Sequence, residues 1–180
     1  VNNEAGAFAA IDYLIGLGHT RIAHITGHPT IPTTNERIAG YEKAMLQSDL
    51  PVDPALVRSS DSSYQSGADL MSELLAIAAP PTAVFTANNL LTLGALKTIH
   101  ERGLNVPNDI SIVGFDDMYW SMSLNPPLTA VRQSGYEIGS RAAEVLLQKI
   151  AHPERSTSSV VLDTELMVRE SCKARSATVG

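Results

Sequence analysis

Two hydrophobic periods alternate along this chain, one helical and one extended. Ala7, Phe8, Ile11, Leu14 and Ile15 recur at helical spacing, and Gly16 and Gly18 stop that helix. Residues 21–26 follow as a short apolar run of strand length, then a polar loop with two prolines over 27–35. A second helix is predicted from near Thr34, with Ile38, Tyr41, Ala44 and Met45 on one face. The pattern then repeats. Residues 56–59 read as a strand, and 64–78 as a helix with Ala68, Met71, Leu74 and Leu75 inward. Residues 82–86 read as a buried strand, and 89–101 as a helix ended by Gly103. Residues 109–115 and 128–131 read as two more strands. A helix over 136–150 carries Ile138, Ala142, Val145 and Leu146 on one stripe. A polar linker, 152–159, leads to a final extended segment, 160–168.

Strands alternating with helices predict an α/β fold: a mainly parallel sheet flanked by helices on both faces. The regular alternation stops near 132–136. That places one unit at 1–133 and a second at 134–180, made of a helix, a strand and a tail.

Composition narrows the class. A chain of 180 residues that is 44% hydrophobic can bury one sizeable core or two small lobes. The formal net charge is -6 and the 13 Lys and Arg are scattered, so no direct affinity for nucleic acid is expected. Cys172 is the only cysteine, which excludes an internal disulfide and favours a reduced, cytoplasmic setting. The first residues lack the basic start and apolar core of a signal peptide, and no apolar run is long enough to span a membrane. The chain opens a few residues before a helix, so a cut piece of a longer protein is expected.

In open α/β sheets, ligands bind outside the carboxyl ends of the strands. The polar residues just after the predicted strands are therefore the candidates: Thr33, Thr34, Asn35 and Arg37; Asp61, Ser62, Ser63 and Tyr64; Asn88 and Asn89; Asp116 and Asp117; Arg132 and Gln133. A guanidinium, carboxylates, amides, hydroxyls and one ring on a single edge suit a neutral polyhydroxyl ligand or a nucleobase. Each residue also has an ordinary alternative. The Asn and Asp pairs sit where helix N-caps belong. Arg37 falls in a predicted first helical turn, where surface solvation is its default, and Tyr64 suits partial burial.

Other chemistries find little support. The five histidines lack metal-ligand spacing, and His19, in a helix-to-strand turn, reads as structural. Asp116 and Asp117 have no second acidic cluster or suitably placed lysine to make a metal or phospho-acceptor site. No G-x-S-x-G elbow, Walker loop or G-x-G-x-x-G is present, and Cys172 has no evident activating partner. No enzyme, metal or cofactor is expected.

Seven stretches together carry a family resemblance. They are 14–23 (LIGLGHTRIA), 36–41 (ERIAGY), 81–89 (PTAVFTANN), 93–96 (LGAL), 103–117 (GLNVPNDISIVGFDD), 126–133 (PPLTAVRQ) and 166–171 (LMVRES). In order and spacing the chain resembles the effector-binding domain of LacI/GalR transcription regulators, which is related to type I periplasmic sugar-binding proteins. The resemblance implies that 1–133 is the C-terminal lobe of a two-lobed sensor. The helix from 136 would cross back to the first lobe, and 160–168 would complete the return. The DNA-binding head and most of the first lobe would lie outside this chain.

By resemblance, the effector contacts match Arg37, Asn88 and Asp116, with Thr33, Tyr64 and Gln133 in looser correspondence. The family usually carries Asp where this chain has Asn89, so a contact needing that charge is not expected here. The implied function is repression or activation controlled by a small ligand, a sugar or sugar derivative, with a homodimer as partner arrangement and DNA bound only through the head. The rival readings are a solute receptor for a sugar transporter and an enzyme using Asp116 and Asp117. An upstream helix-turn-helix or signal peptide separates regulator from receptor.

Overall fold

The computed structural model describes residues 1–154, 156 and 159–175. The tail beyond 175 and parts of the expected linker, residues 155, 157 and 158, lie outside the described residues.

Eleven regular elements follow the predicted alternation: α1 (Asn3–Gly16), β1 (Ile22–Thr26), α2 (Pro32–Gln47), β2 (Val57–Ser59), α3 (Tyr64–Ala76), β3 (Ala83–Thr86), α4 (Asn89–Glu101), β4 (Ser111–Phe115), β5 (Thr129–Gln133), α5 (Gly135–Ala151) and β6 (Thr164–Met167). Two short 3₁₀ turns, Pro54–Leu56 and Tyr119–Ser123, were not legible in the hydrophobic pattern. The sheet order is β2-β1-β3-β4-β5-β6. β1 to β5 are parallel, and β6 runs antiparallel against β5.

Side chains alternate across the sheet and divide the core in two. Ala23, Ile25, Val84 and Ile112 pack on one face against Met71 and Leu74 of α3 and Leu91, Ala95 and Ile99 of α4. Ile22, Phe85, Val113 and Phe115 pack on the other against Ile11 and Leu14 of α1 and Tyr41 and Met45 of α2. Gly40 makes the second layer close. A Cβ there would stand 2.9 Å from the Cβ of Ala7 and from the Phe8 nitrogen, so only glycine lets α1 and α2 approach this far.

The boundaries shift in places, for local reasons. α2 begins at Pro32 rather than near Thr34, because proline supplies a preset φ and lacks only an N–H that the first turn leaves unpaired. Arg37 therefore sits in the second turn of α2, not the first. β4 starts at Ser111 rather than 109, since Asp109 closes a turn by accepting from the backbone N of Asn105 at 2.7 Å. β5 runs on to Gln133 because β6 pairs with it, Gln133 opposite Thr164. The extended segment 160–168 holds strand geometry only over β6.

α5 stands apart from both layers. None of its residues is buried, Tyr136 is 90% exposed, and Leu146, Leu147 and Ile150 are exposed as well. Its stripe of Ile138, Ala142, Val145 and Leu146 lines a cleft of about 470 Å³ with Val1, Val160 and Leu162.

Candidate functional site

The carboxyl ends of the parallel strands bring four of the six candidates together. Arg37 reaches from α2 over the end of the sheet. Its guanidinium carbon lies 3.8 Å from the centre of the Phe115 ring, at the end of β4. Its Nη1 donates to the carbonyl of Ala87, the residue before Asn88. Burial pulls its pKa below the usual arginine range, while the carboxylates of Asp116 and Glu36 pull it back. The default of surface solvation does not hold for this side chain.

Asp116 follows β4 with φ at 78°, a left-handed conformation that Asp tolerates better than most residues. Its backbone N–H donates to Val131 of β5 at 3.0 Å, and its Oδ1 accepts from the Gln133 side-chain amide. The Asp116 carboxylate acts electrostatically on the Arg37 guanidinium, and Gln133 braces it.

Asn88 caps α4: its Oδ1 accepts from the backbone N of Leu91 at 2.8 Å, as the capping alternative expected. Its Nδ2 reaches the Ser62 carbonyl at 3.4 Å, bridging the loops after β2 and β3. Asn89 opens α4 without being the cap. Tyr64 opens α3, is 40% exposed, and acts electrostatically on Lys97 of α4; no contact among the described residues joins it to Arg37 or Asp116. Thr33 is exposed in the first turn of α2, and no side-chain hydrogen bond among the described residues includes it.

The other strand-end residues have structural partners. Asp117, paired with Asp116 in sequence, is separated from it in role: both its oxygens accept from Arg169, at 2.7 and 2.8 Å, which holds its carboxyl below the usual range. Arg132 pairs with Glu165 across β5 and β6 at 2.5 Å. Asp61 accepts from the backbone N of Ser63 at 3.0 Å and from the Ser66 hydroxyl, bonds that lower its pKa. His19, at the opposite end of the sheet, bonds Thr82 at 2.9 Å and Ser111 at 3.1 Å, ties in the backbone of Lys173, and is structural as expected. No group of His, Cys, Asp and Glu among the described residues has the arrangement of a metal site.

Sequence reasoning missed two members of the site. Phe115 reads as an ordinary strand hydrophobe. Asn3 reads only as part of a helix start, yet it is buried and its Oδ1 accepts from both Nε and Nη2 of Arg37, at 3.0 and 2.8 Å.

A mainly parallel sheet covered on both faces, with polar residues gathered at its carboxyl edge, is the architecture in which α/β proteins bind small ligands. The profile of the periplasmic binding protein-like domain family matches residues 11–172, and the chain belongs to that family. It is 37% identical over 174 residues to the HTH-type transcriptional repressor CytR of Escherichia coli K12, covering 97% of this chain. It spans about half, 51%, of that relative. Among solved structures, the LacI transcriptional regulator of Bacillus cereus subsp. cytotoxis superimposes with a TM-score of 0.93 at 31% identity, over 97% of this chain and 62% of that one. The transcriptional regulator CelR in complex with cellobiose superimposes with a TM-score of 0.90 at 37% identity, over 95% of this chain and 52% of that one. The relatives are LacI-family regulators, in agreement with the resemblance read from the seven motifs.

Proposed function

We propose that this chain is the C-terminal lobe of the effector-sensing domain of a transcription regulator, and that it binds a sugar or sugar derivative at its strand-end edge. The observation that carries the reading is the convergence of Arg37, Asp116, Asn88 and Gln133 on one edge, Arg37 reaching from α2 and the other three lying at the ends of β4, β3 and β5. Such a set supplies both donors and acceptors, which hydroxyl-rich ligands need in pairs. Arg37 clamps two oxygens, the outer oxygen of Asp116 accepts a hydroxyl, and Asn88 offers its amide. Tyr64 covers an apolar ring face from the rim, and Thr33 adds a hydroxyl. The cellobiose complex of CelR supports the sugar class.

In this reading the whole protein places a second lobe upstream, from residues outside the chain. That lobe closes over the ligand, and α5, as a crossover helix, lays its apolar stripe against it. A DNA-binding head follows the lobe movement, because a ligand that favours one lobe arrangement shifts the population of states the head experiences. The protein acts in the cytoplasm as a dimer that reads two-fold symmetric operators. No helix among the described residues is long and apolar enough to cross a membrane.

The test is to map ¹⁵N–¹H shifts of the chain during titration with cellobiose, monosaccharides and sugar phosphates. The reading expects shifts confined to residues around 33–37, 62–64, 87–89, 115–117 and 133. Shifts centred on the opposite edge, near Asn108 and Lys173, contradict it.

A further inference from the structure

Asn3 is buried in the first turn of α1, and its amide stands between two charged neighbours on α2. Its Nδ2 donates to Glu36 Oε2 at 2.7 Å and to the Val1 carbonyl at 3.3 Å. Its Oδ1 accepts from Nε and Nη2 of Arg37. The opposite amide orientation would set an NH₂ against a guanidinium and an oxygen against a carboxylate, so the two charges dictate which way the amide points.

We propose that Asn3 is the positioning residue of the site: it sets where Arg37 stands and which donors Arg37 keeps for a ligand. This rests on the reading of Arg37 as an effector contact. A guanidinium has five N–H donors. Asn3 takes the Nε–H and one N–H of Nη2, and the Ala87 carbonyl takes one N–H of Nη1. Phe115 covers one face. One N–H on each terminal nitrogen is left, a pair that fits two neighbouring acceptor oxygens, as on a vicinal diol or a carboxylate. Because the side chain is held before the ligand arrives, binding is spared the ordering of a long, rotamer-rich group. Glu36, exposed on α2, acts one step further back by orienting the amide.

The chain is labelled with ¹⁵N, and the Arg37 Nε–H resonance is assigned by its loss in Arg37→Lys. Expected in the wild type is slow exchange of this proton with water. Asn3→Ala brings its exchange to the rate of the exposed arginines, while the helix cap Asn2 stays in place. Asn3→Asp combined with Glu36→Gln restores slow exchange, because the pair swaps donor for acceptor, keeps the bond between positions 3 and 36 and the two from Arg37, and gives up only the long bond to the Val1 carbonyl. In the same samples, with cellobiose as probe, Asn3→Ala weakens binding by roughly tenfold, the ordering cost of one long side chain. The double variant recovers most of that loss. Equal exchange rates in the wild type and Asn3→Ala, or fast exchange in a folded double variant, overturn the proposal. Should Asn3→Ala not fold, the double variant alone decides by the same criterion. A wild-type chain that binds no cellobiose, monosaccharide or sugar phosphate overturns the effector reading of Arg37, whereas the exchange rates judge the hold of Asn3 on Arg37 separately.

Discussion

Asp117 and Arg169 meet through two parallel hydrogen bonds, 2.7 and 2.8 Å long, although 52 positions separate them in the chain. Their side chains are 8% and 13% exposed, so the pair is largely dehydrated. Arg169 also donates to the Leu128 carbonyl at 2.6 Å and, through its backbone, to Thr129 at 2.9 Å. The segment after β6 is thereby locked to the end of β4, beside the residue that carries the candidate ligand carboxylate. Arg169→Met leaves the Asp117 charge buried without its partner, and is expected to cost about 3 kcal/mol. Urea unfolding checks this, and the double variant Asp117→Asn with Arg169→Met should cost less than the sum of the two single changes.

His24 predicts how stability depends on pH. It is fully buried, stacked between Tyr41 and Phe85 with centroids at 5.4 and 4.8 Å, and burial pushes its pKa down to about 4. Its Nδ1 donates to the Phe85 carbonyl at 3.1 Å, while Nε2 has no partner among the described residues, so a second proton there would have no acceptor. The folded pKa lies below the ordinary value of 6.5, so between the two the unfolded chain binds the extra proton. The stability from this residue is complete above 6.5 and drains away as pH falls towards 4. The shift corresponds to roughly 3 kcal/mol. Asp117 adds to the loss at lower pH, because its depressed carboxyl must be protonated as the pair with Arg169 breaks. His24→Phe should flatten the slope of unfolding free energy between pH 6.5 and 4 and leave the lower limb due to Asp117 in place.

Asp116 and its left-handed backbone allow a clean separation of charge from fold. Asn tolerates the same φ, so Asp116→Asn should change unfolding free energy by no more than about 0.5 kcal/mol. Gln133 keeps an acceptor. Ligand affinity should nonetheless fall by at least about tenfold, because a charge-assisted hydrogen bond becomes a neutral one. Parallel thermal melts and titrations of the variant check both halves.

α5 offers a test of the exposed apolar stripe. Contiguous exposed apolar surface promotes association, and the chain is expected to self-associate through this helix. Leu146→Glu together with Ile150→Lys should lower the sedimentation coefficient at high concentration. The unfolding midpoint should barely move, because no residue of α5 is buried. A wild-type chain that sediments as a monomer at high concentration contradicts the expectation.

Much of the fold was legible because α1 to α4 each bury one face and so print a helical period on the sequence, while β1, β3 and β4, buried on both faces, read as short continuous apolar runs. Ala68, Met71 and Leu74 of α3 were readable as a helix face for this reason. Direction was not readable: nothing in the period of β6 says that it runs antiparallel to β5. The candidate edge was legible in Arg37, Asn88 and Asp116 because strand ends follow from the strands themselves. Asp116 and Asp117 were not separable, since the difference between them is Arg169, which only the folded chain brings near. Asn3 was missed for a similar reason. Its reach to Arg37 depends on α1 and α2 touching at Gly40, a packing detail that hydrophobic periodicity does not encode.

The central claim is that the strand-end edge holds a sugar-like effector through Arg37. Calorimetric titration of the chain against cellobiose, monosaccharides, sugar phosphates and nucleobases, with Arg37→Ala beside it, tests this most directly. Saturable heat with a sugar or sugar derivative in the wild type, lost in Arg37→Ala, is the predicted result. Binding that survives Arg37→Ala unchanged, or binding of nucleobases alone, contradicts the account.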